Sequence, residues 1–449
     1  MYAVAMENSL KTHESWQAPD DARLTGQVSV QGSKSVAQRV LFNAFFASGE
    51  SRIVGAPECG DLRVYCRALK KLGADLRQDE NGDWILKGNP SPWSADQSVE
   101  EIELDLESNG TAMRFLTALS ALRPGQTVLK GETHRPVGPL VDALKKLGAD
   151  IEFLGEPGYM PVKVNGGAIE GGRVVLQSAL SSQFASALLL LAPHTRTGLQ
   201  VRLVGPISSR PYIDLTATVL KAFGVQTEVG ARDLKVSACT QLKSGKIVIE
   251  ADASAAAFPL CGAAITGGEV TVVGVGNKTL QGDKRIASLL KDMGCQVEIS
   301  DSSISIQGEP RRPLSCAMEE VPDLVPPLAV VAAFSRGESI FSGVTHLKVK
   351  ESDRLEVLCE GMRSLGIRAE CQGDLLRVVG SDGAHLSPAD LDPAGDHRMA
   401  MAFSLLALKV PGTRVLQPDC ISKSDPLFFQ RLESLIEAGD PQPGESDFE

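Results

Sequence analysis

The stretch LVDALKKLGADI, residues 140–151, sets apolar side chains at three- and four-residue intervals and then a glycine at Gly148. That pattern is an amphipathic helix followed by a residue that accepts the left-handed cap conformation without steric cost. It is one of a series. CRALKKLGADL (66–76), LTATVLKAFGVQTEV (215–229), IASLLKDMGCQVEI (286–299) and LEVLCEGMRSLGIRAE (355–370) repeat it, with glycines at Gly73, Gly224, Gly294 and Gly366. In chain order these glycines lie 75, 76, 70 and 72 residues apart, and a degenerate sixth copy, FFQRLESLIEAG (428–439), ends a further 73 on at Gly439. Short strand-like segments follow the first five copies.

A second kind of helix lies between these. It opens on a small polar or acidic residue and turns apolar: KSVAQRVLFNAFFASG, GTAMRFLTALSA, SSQFASALLLLA, DASAAAFPLCGAA, PDLVPPLAVVAAFSRG and DHRMAMAFSLLAL. The equivalent starts are Ser35, Thr111, Ser182, Ser254, Asp323 and Asp396, spaced by 69 to 76 residues. The chain is therefore six copies of a helix–strand–helix–strands unit. The last copy lacks its strands, and the chain begins with an unmatched strand, RLTGQVSVQG (23–32), so that strand is expected to pack with the C-terminal repeats. The natural grouping is three repeats per domain: residues 34–251 in the first, and 1–33 plus 252–449 in the second, with the chain crossing back near Asp252. The fold class is α/β with mixed sheets, because the unit is not the simple alternation of a doubly wound fold.

Composition narrows the function classes. The 449 residues are 43% hydrophobic and 22% charged, the balance of a soluble globular protein. A net charge of −11 excludes a global nucleic-acid footprint, but a site can still concentrate cations around a small anion. Nine cysteines without a CxxC pair point to reduced thiols rather than a disulfide or zinc scaffold. The N-terminus shows no signal peptide, and the longest apolar run (187–192) is too short to span a bilayer, so cytoplasm is the default. The acidic end, DPQPGESDFE (440–449), predicts a disordered tail from about residue 439.

Helix starts attract anions through free N–H groups and the macrodipole. Taken singly, a Ser, Thr or Asp there is more often a plain cap. These starts are unusually rich in cations and hydroxyls. The first offers Lys34, Ser35 and Arg39, although the phosphate-loop spacing is absent. The second offers Gly110 to Arg114 and the third Ser181, Ser182 and Gln183. The C-terminal half adds Lys350, Glu351, Ser352, Asp353 and Arg354, then Asp396, His397 and Arg398. An arginine fork suits a carboxylate or phosphate. Six histidines show no metal-binding spacing, and Gly274-Val275-Gly276 does not extend to a dinucleotide fingerprint.

The ordered set GSKSxxxR, GTAMR, SSQF, SxPYID, PD, VKESDR, DHRMAM and SK, over residues 22 to 432, closely resembles the EPSP synthase family of enolpyruvyl transferases, the 3-phosphoshikimate 1-carboxyvinyltransferases. The resemblance implies a two-domain inside-out α/β barrel of six βαβαββ-like repeats, closing around its substrates. It implies transfer of the enolpyruvyl group of phosphoenolpyruvate to the 5-hydroxyl of shikimate 3-phosphate, with no metal or organic cofactor. For shikimate 3-phosphate it points to Lys34, Ser35, Arg39, Ser181, Ser182, Gln183, Ser209, Tyr212, Asp323 and Lys350. For phosphoenolpyruvate it points to Lys34, Gly110, Arg135, Gln183, Arg354, Arg398 and Lys423. Asp323 resembles the family's general base, and Glu351, with Lys34, its proton donor to the methylene carbon.

Four departures stand out: Ser108 where the family often has Asn, Phe115 where it often has Pro, a shortened stretch near Arg135, and Ser424-Asp425 after Lys423 where an aromatic residue is common. A transferase acting on a UDP-amino sugar shares the fold, but it uses a GxKN-type start and a loop cysteine, neither of which is present. A non-catalytic binder would not need both Asp323 and Glu351. The expected partners are the two small substrates, with no nucleic acid or membrane and a monomeric chain. The phosphoenolpyruvate cations come from both halves, so an empty cleft is expected to open by like-charge repulsion.

Overall fold

In the computed structural model, which describes residues 14–93, 100–132, 135–381 and 386–437, the helices in chain order are α1 (Lys34–Phe46), α2 (Gly60–Lys71), α3 (Gly110–Ser120), α4 (Gly138–Lys146), α5 (Ser182–Leu191), α6 (Arg210–Ala222), α7 (Ala253–Thr266), α8 (Ile286–Asp292), α9 (Val325–Ala333), α10 (Arg354–Ser364), α11 (His397–Lys409) and α12 (Phe428–Glu433). The even-numbered helices are the glycine-terminated series. Gly73, Gly148, Gly224, Gly294 and Gly366 take φ values of 102°, 98°, 87°, 104° and 90°, the left-handed region expected of them. The sixth glycine, Gly439, and the acidic tail lie outside the described residues.

The odd-numbered helices are buried on nearly all sides and sit inside. Every residue of α3 and of α9 is buried. In α7 the small residues permit close approach: a Cβ on Gly262 would stand 2.5 Å from Leu24 Cδ1. Helices α7, α9 and α11 pack on one another, and α5 packs against α1 and α3. The buried apolar residues fall into two clusters. One runs from Val36 to Ile249; the other runs from Ala253 to Leu435 and takes in Ala18, Ala22, Leu24 and Val28. These are called the first and second halves below.

One sheet shows the unit. Strand Ile102–Asp105 lies parallel to Gly125–Lys130, which pairs antiparallel with Val162–Gly166, which pairs antiparallel with Asp150–Phe153. The order recurs in Gly172–Gln177, Leu199–Val204, Asp233–Val236 and Thr227–Val229. It recurs again in Ser315–Ala317, Glu338–Ser342, Leu375–Val379 and Arg368–Gln372. Two sheets borrow their first strand from a distance. Thr25–Ser29 lies parallel to Glu269–Val273, so the N-terminal strand joins the second half as expected. Lys246–Val248 lies parallel to Ala47–Val54 and closes the first half in the same way. The sixth sheet is completed by a strand that sequence reading did not find: Ser15–Gln17 pairs antiparallel with Arg414–Leu416.

The expected helix starts are shifted by a residue or two. The capping side chains are Ser33, Asn109, Ser181 and Asp252 rather than Ser35, Thr111, Ser182 and Ser254. Asp396 does cap α11, accepting from the Arg398 amide at 2.9 Å. Asp323 caps nothing. It lies in the 3-10 turn Pro322–Leu324, and α9 carries Pro326 and Pro327 in its first turn. Proline has no N–H to donate, so the Asp323 carboxylate is left to other partners. The two connections between halves lie side by side: the Ser33 amide donates to Glu250 O and the Asp252 amide to Gln31 O, both at 2.8 Å. Among the described residues, no helix is long and apolar enough to cross a membrane.

Candidate active site

Asp61, in the first turn of α2 and only 5% exposed, sits between two ammonium groups. Its carboxylate accepts from Lys34 Nζ at 2.7 Å and from Lys423 Nζ at 2.9 Å. Lys34 begins α1, whereas Lys423 comes from the second half and also donates to Ser108 Oγ at 2.8 Å. Burial works against the charge on Lys34, but Asp61, with Cys59 and Glu351, outweighs it and holds its pKa above the usual lysine value.

Arg354, at the start of α10 and 2% exposed, is the hub of the second half. Its Nε donates to Asp396 Oδ2 at 2.7 Å, its Nη1 to Asp323 Oδ1 at 3.0 Å and its Nη2 to Glu351 Oε2 at 2.7 Å. Asp396 is fully buried, so its charge fixes this guanidinium in place. Arg398 Nη2 reaches Asp323 Oδ2 at 3.1 Å, and Lys350 Nζ stands 3.9 Å from Asp323 Oδ1. Burial pushes the Asp323 pKa up, but Arg398, Lys350 and Arg354 together hold it well below the usual carboxylate range. Glu351 is likewise raised by burial and pulled far lower by Arg354 and Arg135. Burial, with help from Arg135 and Arg354, lowers Lys350 to about 8 against the pull of Asp323.

The halves meet at Arg135, whose Nη1 donates to Glu351 Oε1 at 3.2 Å. Cations from both halves therefore do face one another, but Asp61, between Lys34 and Lys423, and Glu351, between Arg135 and Arg354, separate them. The expected like-charge repulsion is offset by these carboxylates, and the cleft is closed.

At the starts of α3 and α5, Gln183 donates from Nε2 to Thr111 Oγ1 at 3.0 Å and accepts from Arg114 Nη1 at 2.5 Å. The same Arg114 nitrogen reaches Ser181 Oγ at 3.3 Å. Arg114 lay in the GTAMR motif, but its role as the brace of Gln183 and Ser181 was not read from it. Ser182 is buried and Ser35 partly exposed at their helix starts. Arg39 is buried at 1% exposure, with donors committed to Thr216 Oγ1, Ser35 O and Ser186 Oγ at 2.8, 2.7 and 3.2 Å. It lies beneath the rings of Phe115 and Tyr212. Tyr212 Oη donates to Asp283 Oδ2 at 2.9 Å, and Ser209 stands three residues earlier at the N-terminus of α6. Asp61 and Asp283 were not read as site residues, and Asp396 was read only as the helix start beside Arg398. The only available signal for Asp61 was an acidic residue beginning a helix otherwise rich in Lys and Arg.

The set as a whole is a buried array of cations and carboxylates drawn from helix starts in both halves. The model of the EPSP synthase family, 3-phosphoshikimate 1-carboxyvinyltransferase, matches residues 19–432. The chain belongs to that family. It is 36% identical to the 3-phosphoshikimate 1-carboxyvinyltransferase of Shewanella loihica, over 93% of this chain and 98% of the relative. The enzyme of the same name from a Sulfurovum species is also 36% identical, over 92% and 97%. An EPSP synthase structure from Acinetobacter baumannii aligns over 94% of this chain and 98% of its own, with a TM-score of 0.77 and 26% identity. The enolpyruvyl transferase NikO of Streptomyces tendae, at 19% identity and TM-score 0.72, shares the fold. The chain is thus a transferase with the α/β architecture of the EPSP synthases.

Proposed function

We propose that this chain transfers the enolpyruvyl group of phosphoenolpyruvate to the 5-hydroxyl of shikimate 3-phosphate and releases phosphate. The observation that carries this reading is the convergence of Asp323 and Glu351 on one guanidinium, that of Arg354. Addition of the hydroxyl oxygen to C2 of phosphoenolpyruvate needs a base for the hydroxyl proton and an acid to protonate C3, and this arrangement supplies two carboxyl groups at one site. Asp323 takes the hydroxyl proton, while Glu351, with Lys34 nearby, delivers one to the methylene carbon. Phosphate then leaves as C3 gives up a proton and the double bond re-forms.

The electrostatics explain how two acidic groups become useful. In the empty site Arg354, Arg398, Lys350 and Arg135 hold both carboxyls strongly ionised. Anionic substrates bound against these fixed cations neutralise part of their pull on the two carboxyls. Burial, which raises both, then counts for more at Asp323 and Glu351. Asp323 becomes a better base, and Glu351 becomes able to carry a proton. The fixed cations then face the charge that develops on the departing phosphate without reorganising.

In this reading Lys34, Gly110, Arg135, Gln183, Arg354, Arg398 and Lys423 bind phosphoenolpyruvate. Ser35, Arg39, Ser181, Ser182, Ser209, Tyr212 and Lys350, with Lys34, Gln183 and Asp323, bind shikimate 3-phosphate. The two apolar clusters act as domains, residues 34–251 and 1–33 plus 252–449, which close on the substrates about the paired crossings. The chain works as a cytoplasmic monomer, and the reaction balances without a cofactor. A phosphate-release assay tests the activity: release must require both substrates. Release with a UDP-amino sugar acceptor instead would overturn the reading.

A further inference from the structure

The first turn of α6 is docked on the second half at three points. The Ser209 amide donates to Glu319 O at 2.6 Å. Pro211 lies on Gly282, where an added Cβ would stand 2.6 Å from Pro211 Cβ. Tyr212 Oη donates to Asp283 Oδ2 at 2.9 Å. Ser209 adopts a left-handed φ of 53°, which a non-glycine residue holds only when its surroundings impose it.

The receiving segment is mounted on the connection between halves. Gln281 Nε2 donates to Ala251 O at 2.6 Å and to Glu250 Oε1 at 3.0 Å, and its Oε1 accepts from the Ala253 amide at 3.2 Å. Asp283 is fully buried, and among the described residues its Oδ1 has no hydrogen-bond partner and its carboxylate makes no ion pair, unlike those of Asp61, Asp323 and Glu351. We infer that the Gly282-Asp283 step is a seat for the Ser209–Tyr212 turn that sets the closed angle of the two domains, with Asp283 as a positioning residue for Tyr212. The inference rests on the proposed two-domain closure. It explains why the smallest residue lies under Pro211 and why a carboxyl with a spare oxygen is buried beside Tyr212.

The groups facing Asp283 are Asp323 from the turn before α9, Arg398 from α11, Asp252 at the cap of α7 and Tyr212 from α6. Lys284 of its own turn points elsewhere, donating to Asn277 O and Thr279 O. Burial and then Asp323 raise the Asp283 pKa to about 6, against the pull of Arg398 and the Tyr212 hydrogen bond. The sign follows. A carboxyl whose pKa is higher closed than open favours closure while it is protonated. That advantage is lost as pH rises through about 6.

The test uses the full chain. Gly282→Ala should raise KM for both substrates by at least about tenfold, since one decade is only ~1.4 kcal/mol. It should also increase the ligand-free radius of gyration in small-angle scattering, with an unchanged melting curve. Adding Pro211→Gly removes the ring that the new Cβ strikes and should restore both. Wild-type KM and radius of gyration in Gly282→Ala, or a loss that Pro211→Gly does not relieve, overturns the seat. Asp283→Asn keeps the Tyr212 hydrogen bond without a titratable charge. The ratio of wild-type to Asp283→Asn kcat/KM should fall roughly tenfold from pH 5 to pH 8. The ratio cancels the substrates' own phosphate titration, which lies near pH 6. A flat ratio removes Asp283 from the mechanism. Wild-type phosphate release is measured first, so its absence would sink the proposed activity, whereas unresponsive variants of an active enzyme sink only the seat.

Discussion

The guanidinium of Arg135 lies so close to Gly110 that a Cβ there would stand 2.5 Å from Nη1 and 2.7 Å from Cζ. Only glycine at the start of α3 lets Arg135 lie flat and still reach Glu351. Gly110→Ala should therefore push the guanidinium off its position while leaving the helix intact, since alanine is the better helix former. Losing one charge-assisted hydrogen bond costs roughly 1.5–3 kcal/mol, so KM for phosphoenolpyruvate should rise about ten- to a hundredfold. Shikimate 3-phosphate binding should change little. Calorimetric titration of each ligand checks this, and an unchanged phosphoenolpyruvate affinity would remove Arg135 from that site.

Asp61 is the charge that lets Lys34 and Lys423 coexist across an empty cleft. Asp61→Asn should leave two ammonium groups facing each other with no carboxylate between them. The cleft can relieve this by opening, so the global melting temperature should hardly move, while the ligand-free radius of gyration should increase. KM for phosphoenolpyruvate should rise by about tenfold or more, because both lysines lose their anchor. A ligand-free scattering curve identical to wild type would contradict this account of closure.

The repeat was legible because a glycine-terminated amphipathic helix recurs at nearly constant spacing, and such helices are specified locally. Strands Ser15–Gln17 and Lys246–Val248 were not, because three residues carry too little periodicity and each strand exists by virtue of a distant partner. The helix starts were misplaced by one or two residues because several small polar residues stand together there and more than one of them could cap. Asp323 was read as one more such start, but the prolines around it supply no amide to cap. The cations of the site stood in recognisable motifs, as did Asp323, Glu351 and Asp396. Asp61 did not: it is 27 residues from Lys34 and 362 from Lys423, so only folding reveals that it joins them.

Asp323 accepts from Arg354 and Arg398 and lies within 3.9 Å of Lys350, so Asn is a milder test than Ala. Asp323→Asn keeps the shape and one acceptor oxygen but cannot take a proton. Turnover should fall ~10²–10⁴-fold, the usual scale for loss of a general base. Shikimate 3-phosphate affinity should stay within about tenfold. Single-turnover kinetics with saturating substrates reads the chemical step, and near-normal rates would assign the base elsewhere.

Lys350 gives a second pH signature. Burial, with Arg135 and Arg354, lowers its pKa to about 8, so in the free enzyme it loses charge as pH rises through that value. KM for shikimate 3-phosphate should climb above about pH 8 in the wild type. In Lys350→Arg the guanidinium stays charged throughout, and the climb should vanish. Parallel profiles for the two proteins would show that another group governs the alkaline limb.

Arg398 follows the Asp396 cap of α11 and turns its fork onto Asp323 at 3.1 Å, with 13% of the side chain exposed. It is thus pre-aimed at the point where the two proposed ligands meet. Lysine would keep the charge that neutralises Asp323 but would offer one compact ammonium instead of a planar pair of donors. Arg398→Lys should weaken phosphoenolpyruvate binding roughly ten- to a hundredfold, the worth of one charge-assisted hydrogen bond of about 1.5–3 kcal/mol. Shikimate 3-phosphate alone should lose no more than about threefold, because Arg398 reaches that ligand's side only through Asp323, which Arg354 and Lys350 still hold. The melting curve should be unaltered, since Asp396 caps through the backbone amide and not through the guanidinium. Titration of each ligand separately, with thermal unfolding as the control, distinguishes these outcomes. Equal losses for both ligands in a well-folded variant would show that Arg398 serves the two substrates jointly and that the proposed division of the site is wrong.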